Sequence, residues 1–479
     1  MQWSKLELCF DRIMRNTVSR LVVYSNRLPL GQTASGGLVV ALQKTMESQG
    51  GVWIGTKLDE SISDHFLKEY DGGKFDRHAL HLQPSEYNDY YLGYANSVLW
   101  PLFHGRTDLL DVAHGQLAAY ASVNQKLAEA TRHLITDDDT IWIHDYHFIP
   151  LASELRKLGV QNPIGFFLHT PFPTSSDVHA LTHKRNLLDW LSAYDLVGLQ
   201  TQRDVSAMIE VCRTVFGGQM LSDGRIRCQG RDIWPASFPI GIEAENFRRT
   251  AEAQKPLAPQ IASGQRLLIG VDRLDYSKGL PYKFRGFQRY LEDRASSDSP
   301  LTLLQIASPT REDVEAYQEV RRELEQITGQ VNGRFAELGY IPIQYIHRSV
   351  PRDYLAGLYR RADIALVTPL IDGMNLVAKE YIAAQDPADP GVLILSEAAG
   401  AAEQLKVGAL MVNPFDPGSV SEAIQSAARM SREERIERHQ SQWNEIARHD
   451  VHWWTGTFLN SLRRNAAQRI EHGSILRLA

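Results

Sequence analysis

Ten short apolar runs, each followed by a longer stretch with helical spacing, restrict this chain to one fold class. The runs are RLVVYS at 20–25, TIWIH at 140–144, PIGFFL at 163–168 and YDLVGL at 194–199. A second set is RLLIGV at 266–271, LTLLQIA at 301–307, IPIQYI at 341–346, DIALVT at 363–368, GVLILS at 391–396 and ALMVN at 409–413. Most are continuously apolar, the pattern of parallel strands covered on both faces. Strand–helix–strand order predicts an α/β fold of doubly wound sheets. The chain has 479 residues, too many for one ordinary core. The alternation weakens over 243–265, a polar stretch containing Ala and Pro. The expected division is therefore 1–245, 246–455, and a C-terminal helix and tail at 456–479 packing back on the first domain. Each of the two domains has room for a Rossmann-like sheet. Residues 417–470 read as consecutive helices with charged faces, and 1–18 as an extension ahead of the first strand.

Composition narrows the function. A net charge of −6, from 51 basic and 57 acidic residues, does not suit wrapping around nucleic acid. A phosphate-bearing ligand must then be held by a few local cations. The three cysteines, Cys9, Cys212 and Cys228, contain no C-x-x-C pair and imply a reducing, cytoplasmic setting. No apolar run reaches the ~18 residues of a membrane span, and the N-terminus lacks the features of a secretory signal.

Ligands of open parallel sheets sit at the carboxyl ends of strands. After the first strand comes SNRLPLGQTASGGLVVAL, where Gly36 and Gly37 open a probable helix whose N–H groups can face an anion and Arg27 shares the loop. An ordinary glycine turn reads equally well, and the absence of G-x-G-x-x-G counts against NAD binding. His144, Asp145, His147 and His169 follow two strands. They can be read as a metal site, but strand alternation sends His144 and Asp145 to opposite sides. A sugar site uses the same residue types to accept and donate hydroxyl hydrogen bonds. Arg273 and Lys278 share the loop VDRLDYSKGL and can reach one diphosphate. Arg311 is expected to start a helix after LTLLQIA. In PLIDGMNLVAKEY, Asp372 and Gly373 form a turn, and the free N–H groups around Leu376 to Ala378 point at an anion.

Together these segments resemble the trehalose-6-phosphate synthases, retaining glycosyltransferases, from about residue 19 to about residue 460. The motifs are VLWPLFH at 98–104, IHDYH at 143–147, GFFLHTPFPT at 165–174, RLDYSKGLP at 273–281 and DGMNLVAKEY at 372–381, with FPIGIE at 238–243 and AAQDPADPGVLILS at 383–396. The resemblance implies two Rossmann-like domains facing a cleft, the GT-B architecture, with the acceptor on the first domain and the nucleotide sugar on the second. It implies a donor site for UDP-glucose at Gly36, Gly37, Arg273, Lys278, Val350, Asp372, Leu376, Val377, Ala378, Lys379 and Glu380. Glu380 would take the ribose hydroxyls, Val350 would meet the uracil, and Asp372 with His169 would hold the transferred glucose. Arg273, Lys278, His169 and Asp372 would be the catalytic set. The glucose 6-phosphate site would comprise Arg27, Tyr91, Trp100, Asp145 and Arg311. Departures from the family pattern are Thr56 for an aromatic near the acceptor, Leu199 for a Phe, Ile371 for a basic residue, and a short glycine loop.

The implied reaction is glucose transfer from UDP-glucose to glucose 6-phosphate with retention, giving trehalose 6-phosphate and UDP. It needs no metal or other cofactor: Asp137-Asp138-Asp139 precedes a strand, the wrong end, so cations must stabilise the leaving diphosphate. Expected partners are the two substrates, neither nucleic acid nor membrane, and a second copy or more of the chain as a homo-oligomer. Two alternatives stand beside this reading: a related synthase with another acceptor, and a non-catalytic sugar-phosphate sensor.

Overall fold

The computed structural model describes residues 19–29, 37–59, 65–70, 73–254, 265–295, 299–312 and 314–475. The expected extension at 1–18, and Gly36 of the glycine loop, lie outside them. The chain forms two compact units, 1–239 with 451–479 and 240–450. Both chain crossings therefore fall five or six residues earlier than the composition placed them. The first crossing cuts FPIGIE after Pro239. Ile240–Glu243 and the helix Ala244–Ala253 belong to the second unit, where that helix packs on the helices Arg352–Arg361 and Leu376–Ala384.

In the first unit, eight strands form one sheet: β1 (Leu21–Tyr24), β2 (Gly51–Leu58), β3 (Phe66–Tyr70), β4 (Phe75–Leu82), β5 (Thr140–His144), β6 (Ile164–Phe167), β7 (Leu196–Leu199) and β11 (Pro235–Ser237). Their order is β11-β7-β6-β5-β1-β2-β4-β3. Only β3 runs antiparallel to its neighbour. A small antiparallel sheet of β8 (Gln219–Met220), β9 (Ile226–Cys228) and β10 (Arg231–Ile233) lies apart from it. The last helix, Val451–Ile475, packs on β6 and β7. Its Trp454 and Phe458 rings lie 4.7 Å from the ring of Trp142 on β5. Gly165 and Gly198 make this possible: a Cβ at either would stand 2.7 or 2.6 Å from the Phe458 ring.

The second unit holds β12 (Arg266–Arg273), β13 (Leu301–Ser308), β14 (Ile343–Ile346), β15 (Ile364–Val367), β16 (Val392–Ser396) and β17 (Leu410–Val412). All are parallel, in the order β14-β13-β12-β15-β16-β17. Numbered within the unit this is 3-2-1-4-5-6, the dinucleotide-binding order, whose direction reverses between β12 and β15. The first sheet reverses in the same sense between β1 and β5. Ligand crevices open at such switch points, beyond the carboxyl ends of the flanking strands.

Between β4 and β5 the winding also departs from the expected pattern. Asn88–Leu99 is a π-helix of twelve residues, far longer than the single-turn bulges in which that geometry is generally found. Two of its side chains reach back to carbonyls five residues earlier, Asn96 to Tyr91 and Ser97 to Leu92, each at 2.7 Å.

Candidate active site

In the second unit, the segments leaving β12 and β15 meet at the switch point. Leu370 N–H donates to Ser277 C=O at 2.8 Å and fastens the two loops together. Lys278, 7% exposed, brings Nζ to 2.6 Å from Asp372 Oδ2. Asn375 Nδ2 donates to the same oxygen at 3.1 Å. Asn375 takes a left-handed backbone, φ 82°, which Asn tolerates better than most residues. From there its Oδ1 caps the helix Leu376–Ala384 by accepting from Ala378 N–H at 3.3 Å. That corrects one expectation: Ala378 N–H is taken by the cap, and the exposed start of the helix is Leu376 and Val377. Asp372 is not the cap but the carboxylate facing Lys278. Arg273 ends β12 with an exposed side chain.

Further along this helix, Glu380 is buried, and Arg352 donates to its Oε1 through Nε at 3.1 Å and Nη2 at 2.9 Å. Burial pushes the Glu380 carboxyl above its ordinary range while Arg352 opposes the shift. Val350 lies two residues before Arg352, in the segment linking β14 to the helix Arg352–Arg361. Lys379 departs from a donor-facing role for its side chain. Its Nζ is fully buried, donating to Ile240 C=O at 2.7 Å and Gln404 Oε1 at 2.6 Å, so only its main chain can face a ligand. Burial lowers its pKa to about 7, with Glu445 opposing. Arg311 does not open a helix: it has φ 47°, and the following helix begins at Glu315. Its Nη1 lies 2.5 Å from Tyr317 Oη and 3.5 Å from Asp275 Oδ2, and Asp275 is fully buried.

In the first unit, the ends of β1 and β5 carry the corresponding residues. Arg27 Nη2 donates to the Tyr91 hydroxyl at 3.1 Å. Tyr91, on the π-helix, stacks on His147 with ring centroids 5.5 Å apart. Trp100 begins the next helix, 4% exposed, its ring 4.0 Å from that of His104. Asp145 follows β5 with φ 70°, so strand alternation ends at His144 and does not set its direction. Its Oδ1 accepts from His169 N–H at 3.3 Å. His169 Nε2 is 3.1 Å from His144 Nδ1, and its Nδ1 is 3.3 Å from Gln200 Nε2. Burial lowers the His169 pKa to about 3 and that of His144 well below the ordinary value, so the pair is neutral. No group of three or more His, Cys, Asp or Glu side chains among the described residues could hold a metal ion. Gly37 is the first residue of the helix Gly37–Gln49. Thr56 is buried and donates to Asn26 Oδ1 at 2.8 Å. Asn26, Tyr90, Gln200, Arg352 and Asn375 join the expected residues here. Of these only Asn375 carried a sequence signal, a capping residue directly ahead of an apolar helix.

Residues 17–464 match the model of glycosyltransferase family 20. A trehalose-6-phosphate synthase of Sodalis glossinidius (strain morsitans) is 42% identical over 93% of this chain and 96% of its own length. The solved UDP-forming α,α-trehalose-phosphate synthase of Burkholderia xenovorans, in complex with glucose 6-phosphate, superposes with a TM-score of 0.89 at 41% identity, covering 93% of this chain and all of that one. An E. coli chain solved with UDP-2-fluoro glucose bound gives a TM-score of 0.88 at 40% identity, over 93% of this chain and 99% of that one. The chain with this pair of switch-point sites belongs to glycosyltransferase family 20.

Proposed function

We propose that this chain transfers glucose from UDP-glucose to glucose 6-phosphate with retention of configuration, releasing α,α-trehalose 6-phosphate and UDP. The observation that carries the reading is the cluster at the second switch point: Lys278, Asp372, Asn375 and the open helix start at Leu376 and Val377, with Arg273 ending the neighbouring strand. The departing UDP gathers negative charge on its diphosphate. Arg273, Lys278 and the helix start supply fixed positive partners for that charge. Glu380, aligned by Arg352, takes the ribose, and Val350 flanks the uracil. Asp372 and His169 bind the hydroxyls of the transferred glucose. A carboxylate bonded to both an ammonium and an amide is a poor nucleophile, so a covalent glucosyl–Asp372 intermediate is disfavoured. Front-side attack, with the leaving phosphate accepting the acceptor's proton, fits better. On the acceptor, Arg27 and Arg311 supply the phosphate's cations, and Tyr91, Trp100 and Asp145 supply the sugar's surroundings. Gly36 and Gly37 complete the donor side. The reaction runs in the cytoplasm without a metal, in a homo-oligomer.

A second acceptor is favoured by one observation, the hydroxyl of Thr56 at a position where the family resemblance implies an aromatic. Product analysis with UDP-glucose and a panel of phosphorylated and free sugars and polyols tests both readings. Trehalose 6-phosphate as the dominant product supports the first, and a different glucoside supports the second. UDP-glucose left unconsumed with every acceptor would sink both.

A further inference from the structure

We propose that Asn26 is an acceptor-binding residue whose two amide N–H groups meet the phosphoryl oxygens of the acceptor, and that Thr56 and Tyr90 set this by fixing which way the amide faces. The inference rests on the acceptor reading of the first unit given above.

Asn26 lies two residues beyond β1, at the carboxyl end of the strand flanking the first switch point, and directly precedes Arg27. Its Oδ1 accepts two hydrogen bonds, from Thr56 Oγ1 at 2.8 Å and from the Tyr90 hydroxyl at 2.9 Å. Thr56 also grips the main chain, its N–H donating to Asn26 C=O at 3.2 Å. An amide's oxygen and nitrogen are told apart by the network around them, and here the network has one solution. Tyr90 is fully buried, and among the described residues its hydroxyl has no acceptor other than Asn26. With the amide reversed, Thr56 could still turn its proton to Asn26 C=O at 3.4 Å, but the Tyr90 proton would face the amide protons and be stranded. A stranded buried donor costs more than the bond gains. The side-chain oxygen therefore points at Tyr90 and Thr56, and Nδ2 points the other way.

That nitrogen makes no hydrogen bond among the described residues, yet it is absent from the buried polar atoms that lack a partner, so solvent reaches it. Asn26 as a whole is only 7% exposed. The outcome is a rigid pair of N–H donors at a ligand-binding strand end, on the residue before Arg27, and the side-chain oxygen of Asn26 is already occupied by two donors. A sugar hydroxyl must also place its own proton, which this face cannot take. Phosphoryl oxygens accept only, and suit it. The departure at Thr56 thereby gains a role: this chain uses a hydroxyl at that position to lock a second phosphate-recognising group on the residue preceding Arg27.

The test is steady-state kinetics of Asn26→Asp, Thr56→Val, Thr56→Ser and Arg27→Ala, with thermal midpoints for each. Asn26→Asp keeps the shape and the oxygen that Thr56 and Tyr90 need, but exchanges both donors for an anionic oxygen. Its KM for glucose 6-phosphate should rise at least tenfold, with the KM for UDP-glucose within twofold and the midpoint unmoved. Thr56→Val should raise the same KM severalfold, and Thr56→Ser should restore it. A merely structural Asn26 would move the midpoint and both KM values together, which overturns the proposal. If Arg27→Ala weakens the acceptor and Asn26→Asp does not, the proposal fails while the acceptor site stands. If neither does, the acceptor reading itself is wrong and the proposal falls with it.

Discussion

Replacing Lys379 by Met should make the second unit less dependent on pH, and the size of the effect follows from where the ammonium sits. Its partners are two neutral oxygens, Ile240 C=O and Gln404 Oε1, and its pKa is lowered to about 7 because burial disfavours the charge. In the unfolded chain a lysine titrates near 10.4. Between those values the unfolded state binds more protons, so stability rises with pH across the window. It is greatest above the unfolded pKa, falls as pH drops, and levels off below the folded pKa. From pH 7 to pH 9 the wild type should therefore gain about 2 kcal/mol relative to Lys379→Met. For a unit of this size that corresponds to roughly 4–8 °C in thermal midpoint. The acceptors left unbonded in the variant cost the same at either pH and cancel in the comparison. Carboxylates and ordinary imidazoles titrate below the window and cancel too. The assay is thermal unfolding of both proteins followed in parallel at pH 7, 8 and 9. A midpoint difference that stays constant across the series would show that the ammonium keeps its ordinary pKa, and the argument from burial would be wrong.

Five other outcomes are expected. Arg273→Ala and Lys278→Ala should each lower turnover by about 100- to 1,000-fold with the fold intact, as measured by circular dichroism and UDP release. Arg27→Ala should weaken glucose 6-phosphate binding about 10- to 150-fold and leave UDP-glucose binding unchanged by calorimetry. For Arg311, Lys is the informative replacement, because Ala would remove a cation from beside the fully buried Asp275 and lower the thermal midpoint as well. Activity should survive exhaustive chelation, and recovery on adding a divalent ion after a loss would refute the cation-only account. Gly198→Ala should destabilise the first unit by about 1–3 kcal/mol in denaturant titration, because the new Cβ meets Phe458 and Phe167 at 2.6 and 2.8 Å.

The ten apolar runs all became strands, within about two residues of the expected bounds, because continuous apolar character is what a strand covered on both faces requires. The strands β2, β3 and β4 were not distinguished by the same reading. FDRHALHL at 75–82 mixes charge with apolar residues, and β3 lies at the sheet edge, where one side faces water and the pattern dissolves. The π-helix was invisible, since its residues look helical in composition and only the spacing of bonds differs. In the site, the long motifs nominated residues but not the groups that support them. Arg352 beside Glu380, Gln200 beside His169 and Tyr90 beside Asn26 come from distant segments, which no local spacing connects. Lys379 shows the converse: motif membership named the residue, but the direction of its side chain is decided by packing against Ile240 and Gln404.

The π-helix at 88–99 imposes a rule on how this protein can change over time. Each wide turn holds an extra residue relative to an α-helix. Removing one residue between Tyr91 and Trp100 would let the segment relax to ordinary winding, the cheaper geometry. The deletion and the rewinding change the twist and rise between the two ends by different amounts, so what lies beyond would shift in both angle and height. Tyr91, bonded to Arg27, and Trp100, packed on His104, could no longer both keep their neighbours. Side chains along this stretch can be exchanged one at a time, but its length is frozen. Insertions and deletions should be tolerated on either side of it and purged within it.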